Sequence, residues 1–201
     1  MAEDYRLPGL PRYLRVNTLK IGLGKAKKNL LQTGHHLCPD PKHPGHRAYY
    51  RDADIPDLLV FKPKGQSDIS RVPMVESGEV VVQQKASCFP AVALSPPIGG
   101  HVIDACAAPG NKTSHVAALM QNKGKVFAFE QNERRAGLLR EMMNIKGATI
   151  VQTKHMSFLV RRGRMSHRHA MPYQFMPPDP LLLAATALVG ALTHISGRRP
   201  Q

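Results

Sequence analysis

Residues 101–113, HVIDACAAPGNKT, constrain the fold of this chain more than any other stretch. A strand pattern over Val102 to Ala105 runs into a turn of small residues holding Pro109 and Gly110, and a helix pattern begins near Asn111. A strand that passes through a glycine-containing loop directly into a helix is the opening unit of a parallel α/β sheet. In such sheets ligands bind at the carboxyl ends of the strands. The grammar then repeats. A helix over Lys112 to Asn122 sets Val116, Leu119 and Met120 on one face and stops at Gly124. A strand over Lys125 to Phe129 follows, then a helix capped by Asn132 with Leu139, Met142 and Met143 on one face, a stop at Gly147, and a strand over Thr149 to Gln152.

Three ligand classes compete for such a loop. A phosphate-cradling loop needs GxxxxGK[ST], but Asn111 precedes Lys112 where its second glycine belongs and the first glycine is also missing. A dinucleotide loop needs GxGxxG, and only Gly110 is present. The third class needs an acid for the hydroxyls of an adenosine ribose, and Glu130 closes the next strand about twenty residues on. S-adenosylmethionine has that ribose and no phosphate. A sheet unit with an incidental acid at its strand end is the open alternative.

Ahead of this region, Ser95-Pro-Pro-Ile-Gly-Gly100 is the clearest internal boundary. Upstream of it, Tyr13 to Asn17 alternates as a half-buried strand, and Gly22 to Thr33 reads as a short helix whose apolar contacts are Leu30 and Leu31. Residues 35–50 have the composition of a loop, with His35, His36, His43 and His46 but no Cys or acid at a matching metal-ligand spacing, so no metal site is expected. Leu58 to Phe61 reads as a buried strand, Lys62 to Arg71 as a loop, Glu79 to Val82 as a strand and Ser87 to Leu94 as a helix. Three divisions result: 1–97, 98–152 and 153–201. The last, with Arg161, Arg162, Arg164, Arg168 and four prolines between 172 and 180, breaks the βα grammar and is expected to be irregular.

The net charge is +14, and its distribution is uneven. Residues 1–50 carry nine Lys/Arg against three acids, residues 51–100 five against six, and residues 151–201 seven against one. Such a surplus points to an anionic partner: RNA, DNA or an acidic surface. Cys38, Cys88 and Cys106 are odd in number and form no CxxC, which suggests neither a disulfide framework nor a zinc site and fits a reducing, intracellular setting. The N-terminus lacks a signal-peptide core, and the apolar run Leu181 to Leu192 falls short of the about 20 residues a bilayer span needs. No membrane association is expected.

DACAAPGNKT resembles motif I of the RsmB/Nop (Sun-domain) RNA cytosine-C5 methyltransferases, usually D-x-C-A-A-P-G-G/N-K-T. LPRYLRVNTLK at 10–20 is similar to the R-x-N-T-L-K stretch of the family's N-terminal RNA-binding region, QQKASCFPA at 83–91 looks like its Q-D-x-A-S helix, and GKVFAFEQNERR at 124–135 resembles motif II. Within the family the likeness points to the fifth Sun-domain paralogue, which acts on large-subunit ribosomal RNA. The resemblance covers about residues 7–152. It implies an α/β fold: an incomplete Rossmann-like S-adenosylmethionine methyltransferase sheet, preceded by a small α+β RNA-binding region and followed by a basic irregular tail. It further implies that Cys106, Ala107, Ala108, Pro109, Gly110, Asn111 and Lys112 line the cofactor, and that Glu130 holds its ribose. Arg15, Asn17 and Lys20 would face RNA, and the site of action would be the nucleus or nucleolus.

Three departures qualify the resemblance. Ser157-Phe158 stands where the family has Asp-Phe, whose acid contacts the adenine side of the cofactor, and Gln84 stands where the family's helix has Asp. Above all, the family attacks C6 of cytosine with one cysteine and releases product with a second, in a D-x-P-C-S loop, and neither motif follows residue 152. The expectation is therefore a truncated methyltransferase-like chain that keeps the cofactor loop but does not turn over. The alternatives are a non-catalytic RNA-binding module and a non-functional product of a degraded gene copy or splice form.

Overall fold

A computed structural model of the chain describes residues 11–38, 47–61, 69 and 72–158. The chain divides into two compact units: residues through Phe89 together with Ile145–Gly147, and Pro90–Asn144 with the residues from Ala148. The Pro/Gly cluster at 95–100 lies inside the second unit, and the division falls earlier, within a helix.

The first unit is built on β1 (Arg12–Val16), β2 (His36–Leu37), β3 (Ala48–Arg51), β4 (Leu58–Phe61) and β5 (Val80–Val82), in the sheet order β2-β3-β4-β1-β5. β1 runs antiparallel to both its neighbours, with Leu14 opposite Leu59 and Val82. β4, LLVF, is apolar throughout because all four residues are buried in the middle of the sheet. Helix α1 (Leu23–Gln32) lays Ala26 and Leu30, one turn apart and both fully buried, on a core with Val16, Tyr49, Phe61 and Val80. Leu31, expected beside Leu30, is instead 63% exposed, because it lies a further 100° round the helix. A one-turn helix α2 (Pro73–Glu76) opens with proline, which lacks only an amide hydrogen that the first turn leaves unbonded.

Residues 35–50 hold more order than their composition predicts, since β2 and β3 pair in parallel, His36 with Ala48 and Leu37 with Tyr49. The Pro- and Gly-rich part of that stretch, 39–46, lies outside the described residues, as do the expected loop 62–68 and the region 159–201. Among the described residues no group of His, Cys, Asp or Glu is arranged to hold a metal ion. No helix among them is long and apolar enough to cross a membrane.

The second unit follows the predicted grammar. After α3 (Lys85–Leu94) come β6 (His101–Asp104), α4 (Asn111–Leu119), β7 (Lys125–Glu130), α5 (Glu133–Ile145) and β8 (Val151–His155). The three strands form a parallel sheet in the order β6-β7-β8, with Asp104 opposite Ala128 and Glu130 opposite His155. Alternate residues serve two faces. Val102 and Val126 pack with Ala91, Val116 and Met120, whereas Ile103, Phe127 and Phe129 form a separate cluster with Met156 and Phe158 against it. This is the α/β, Rossmann-like arrangement expected.

Two stripe positions differ from expectation: Leu119 is 37% exposed, and Met142 is only half-buried while Leu139 and Met143 are buried. β8 also runs three residues further than its apolar stretch, because polar Thr153, Lys154 and His155 find backbone partners along β7.

Candidate cofactor site

The loop between β6 and α4 is held by its own acid. Asp104, the last residue of β6 and 2% exposed, accepts hydrogen bonds from the Thr113 hydroxyl at 2.7 Å and the Cys106 amide at 3.3 Å. The Ala107 amide donates to the Phe129 carbonyl of β7 (2.9 Å), and the Gly110 amide donates to the Ala107 carbonyl (2.7 Å). The loop is thus fixed at both ends before any ligand arrives. Nine residues separate Asp104 from Thr113, a spacing the sequence does not advertise as a pair.

Gly110 has φ +96°, a left-handed conformation that side chains disfavour. A Cβ there would run into Met143 Cε and stand 2.9 Å from Leu139 Cδ1. The backbone conformation and the side-chain ends of α5 beneath the loop both favour glycine at this position.

Glu130, at the end of β7, is 5% exposed. Its Oε1 accepts the Asn132 amide at 3.0 Å, and the Asn132 side chain accepts the Arg135 amide at 3.1 Å, capping α5. The Arg135 guanidinium donates to the Ala108 carbonyl (2.9 Å) and stands 3.6 Å from Glu130 Oε2, while more than half exposed. One side chain from the first turn of α5 thereby links the loop to the acid. Arg135 was not foreseen, although a signal existed: a cation is unfavourable in the first turn of a helix unless it has an acceptor within reach.

Of the residues expected at the cofactor, Ala107, Ala108 and Gly110 are buried, Cys106 and Pro109 are exposed, and Asn111 and Lys112 lie between. Together with Glu130 they gather at the carboxyl end of the sheet, beside the N-terminus of α4, whose dipole favours electronegative groups. Ser157 is exposed, and Phe158 packs edge-on against Phe129 at 5.4 Å.

Of the three residues expected to face RNA, Arg15 and Asn17 are placed differently, and Lys20 is exposed. Arg15 and Asn17 are fully buried in the first unit. The Arg15 guanidinium donates to Gln83 Oε1 at 2.9 Å, and burial lowers its pKa to about 10, with Asp57 opposing the shift. The Asn17 amide donates to the carbonyls of Gly78 and Lys146, both at 2.8 Å. The Lys20 ammonium donates to the carbonyls of Ser77 (2.5 Å) and Ile145 (2.8 Å). Asn17 and Lys20 thus satisfy backbone carbonyls that follow α2 and end α5, within the first unit.

Residues 10–83 match the family described as NOL1/NOP2/Sun domain family member 5, ferredoxin-like domain, and residues 91–163 match 16S rRNA methyltransferase RsmB/F. The chain is 40% identical over 156 residues to a 28S rRNA (cytosine-C(5))-methyltransferase of Mus musculus, covering 75% of this chain and 33% of the relative. It is 39% identical over 158 residues to the 25S rRNA (cytosine-C(5))-methyltransferase rcm1 of Schizosaccharomyces pombe, covering 74% and 32%. The chain thus spans about a third of the length of these curated relatives. Among solved structures, a methyltransferase homolog protein from Pyrococcus horikoshii superposes with a TM-score of 0.63 at 32% identity, over 74% of this chain and 44% of that one. NSun6 from the same organism, solved with SFG, shares the fold at a TM-score of 0.58 and 20% identity, over 76% and 59%. With its ferredoxin-like module and its motif I sheet both matched, this chain belongs to the RsmB/Nop (Sun-domain) methyltransferase family.

Proposed function

We propose that the described residues are the S-adenosylmethionine-binding and RNA-binding portion of a large-subunit rRNA cytosine-C5 methyltransferase, and that this 201-residue chain by itself does not complete the transfer. The carrying observation is Glu130: a buried acid at the end of β7, facing a loop already fixed by Asp104, Thr113 and Arg135. Bound S-adenosylmethionine supplies an electrophilic methyl group on sulfur. Among the described residues each Glu130 oxygen has one polar neighbour, and a carboxylate accepts about four hydrogen bonds, so acceptor capacity remains for a ribose diol. The Arg135 guanidinium holds the loop carbonyl and the acid at a fixed spacing, so the site needs little reorganisation on binding. The rRNA activity named for the relatives supports RNA as the partner, and the nucleus or nucleolus is the place of action that the family reading implies.

Cytosine C5 is a poor nucleophile until a thiolate adds to C6. Cys88 is fully buried, Cys106 belongs to the cofactor loop and Cys38 follows β2 in the first unit. None stands at a strand end beyond β7, where a thiol would face a base across from the loop.

The test incubates the purified chain with tritiated S-adenosylmethionine and rRNA, beside a full-length family enzyme, after binding of S-adenosylhomocysteine has been measured by calorimetry. Binding without label at cytosine C5 is expected. Label that disappears on changing Cys38, Cys88 or Cys106 to Ser refutes the inactivity, and absence of binding at millimolar ligand refutes the cofactor site.

A further inference from the structure

We propose that the solvent face of α1 is the surface on which this chain takes the phosphate backbone of RNA. The inference rests on the RNA reading above and gives it a location that the buried Arg15 and Asn17 do not provide. α1 reads LGKAKKNLLQ: three lysines and no acid. With Ala26 and Leu30 turned inward, 100° per residue places Lys25, Lys28 and Gln32 within about 60° of one another on the opposite side. Lys25 and Lys28 are exposed, and Lys27 is half-exposed at the margin. His36 and Arg47, exposed in the chain segments that follow α1, carry the basic character on.

The lysines of α1 are chemically unspent. None of Lys25, Lys27 and Lys28 enters an ion pair or side-chain hydrogen bond among the described residues, whereas other cations of the first unit are committed. Lys85 pairs with Asp52 at 2.8 Å and Asp54 at 2.6 Å, Arg15 is buried on Gln83, and Lys20 and Arg51 donate to carbonyls. Helix stability does not account for the lysines either. A helix gains from acids in its first turn and bases in its last, and α1 has neither. Lys25 and Lys28 also repel one another at i,i+3 spacing, a small cost that a polyanion reverses.

The choice of occupant follows from the same face. A helix that lies on a membrane turns a broad apolar surface outward. Here Ala26 and Leu30 are fully buried, and Leu31 is the one large exposed apolar residue on α1. A row of lysines on a +14 chain complements phosphates.

The experiment measures binding of the full chain to a fluorescein-labelled 20-nucleotide oligouridine between 50 and 200 mM KCl. It compares the unsubstituted chain with Lys25→Gln/Lys27→Gln/Lys28→Gln, with Lys25→Arg/Lys27→Arg/Lys28→Arg, and with Lys123→Gln/Lys125→Gln/Arg134→Gln, which removes equal charge from the second unit. Each lost phosphate contact lowers the salt slope by about 0.7 on a single strand, so the α1 glutamine variant should lose a slope of about 2, or roughly 16-fold of affinity change over that salt range. The arginine variant should keep the slope and the second-unit variant most of it. Melting curves and S-adenosylhomocysteine binding should match across all four, and the double Lys25→Gln/Lys28→Gln variant replaces the triple if the latter melts early. An unchanged slope in the α1 variant overturns the proposal and leaves the RNA reading standing. So does an equal loss in the second-unit variant, or a loss confined to phosphatidylserine vesicles or polyglutamate run in parallel. No RNA binding by the unsubstituted chain overturns both.

Discussion

Replacing Gly110 with alanine should destabilise the second unit even without ligand. Gly110 sits at φ +96°, where an alanine costs about 1–2 kcal/mol over glycine. The new Cβ also meets Met143 Cε and Leu139 Cδ1 of α5, and forcing a methyl into a packed site typically costs about 1–3 kcal/mol more. The sum is about 2–5 kcal/mol, read as a lower midpoint in urea followed by circular dichroism. A double-mutant cycle separates the parts. Met143→Ala removes the nearer of the two side chains that the new methyl meets, so in its background Gly110→Ala should cost the conformational part and the lesser contact with Leu139, giving a coupling of up to about 1–3 kcal/mol. S-adenosylhomocysteine binding then serves as an internal check, since the double variant should recover more affinity than Gly110→Ala alone. A Gly110→Ala chain as stable as the original, or a cycle with no coupling, would show that the glycine is not there for α5 and would refute the packing argument.

Three further outcomes are expected. Glu130→Gln keeps the shape of the side chain and an acceptor for Asn132, but loses charge-assisted bonds to a ribose, each worth about 1.5–3 kcal/mol. S-adenosylhomocysteine affinity by calorimetry should therefore fall about 10- to 100-fold while the melting temperature barely moves. Asn17→Ala leaves the carbonyls of Gly78 and Lys146 without their donor inside the first unit, at about 1–3 kcal/mol each, so the urea midpoint should drop by the equivalent of about 2–6 kcal/mol. Burial, and secondarily Arg15, lower the Lys146 pKa from 10.5 to about 8. Between those values the unfolded chain binds more protons, so stability rises with pH from 8 to 10.5 relative to a Lys146→Met variant, by up to about 3 kcal/mol; urea titrations at pH 7, 9 and 10 would show a flat difference if the ammonium were well solvated.

The second unit was largely legible because local pattern and tertiary role coincide there. Small residues around Pro109 and Gly110, the acid at Glu130, and glycine stops at 124 and 147 all mark positions where the backbone itself turns. The first unit was less so. β2 and β3 are held by backbone pairing across a stretch whose prolines, glycine and histidines read as loop, and a two-residue edge strand has no periodicity to detect. Arg15 and Asn17 were misplaced for a different reason. Both are polar residues that sequence reasoning puts at the surface, and their burial depends on acceptors at Gln83, Gly78 and Lys146, up to 129 positions away. Arg135 was hidden because its acceptor at Ala108 lies 27 residues back, on an element that only the sheet brings near.

The membership of Ile145–Gly147 in the first unit carries a consequence for synthesis on the ribosome. Most of that unit has left the exit tunnel once Phe89 has, yet the carbonyls that Asn17 and Lys20 bind at Lys146 and Ile145 do not emerge from it until about sixty residues later. At about 5–20 residues per second, the nascent unit waits roughly 3–12 seconds with those donors turned to water. The N-terminal module is therefore completed by a segment made after it, and its final consolidation is timed by elongation through α5.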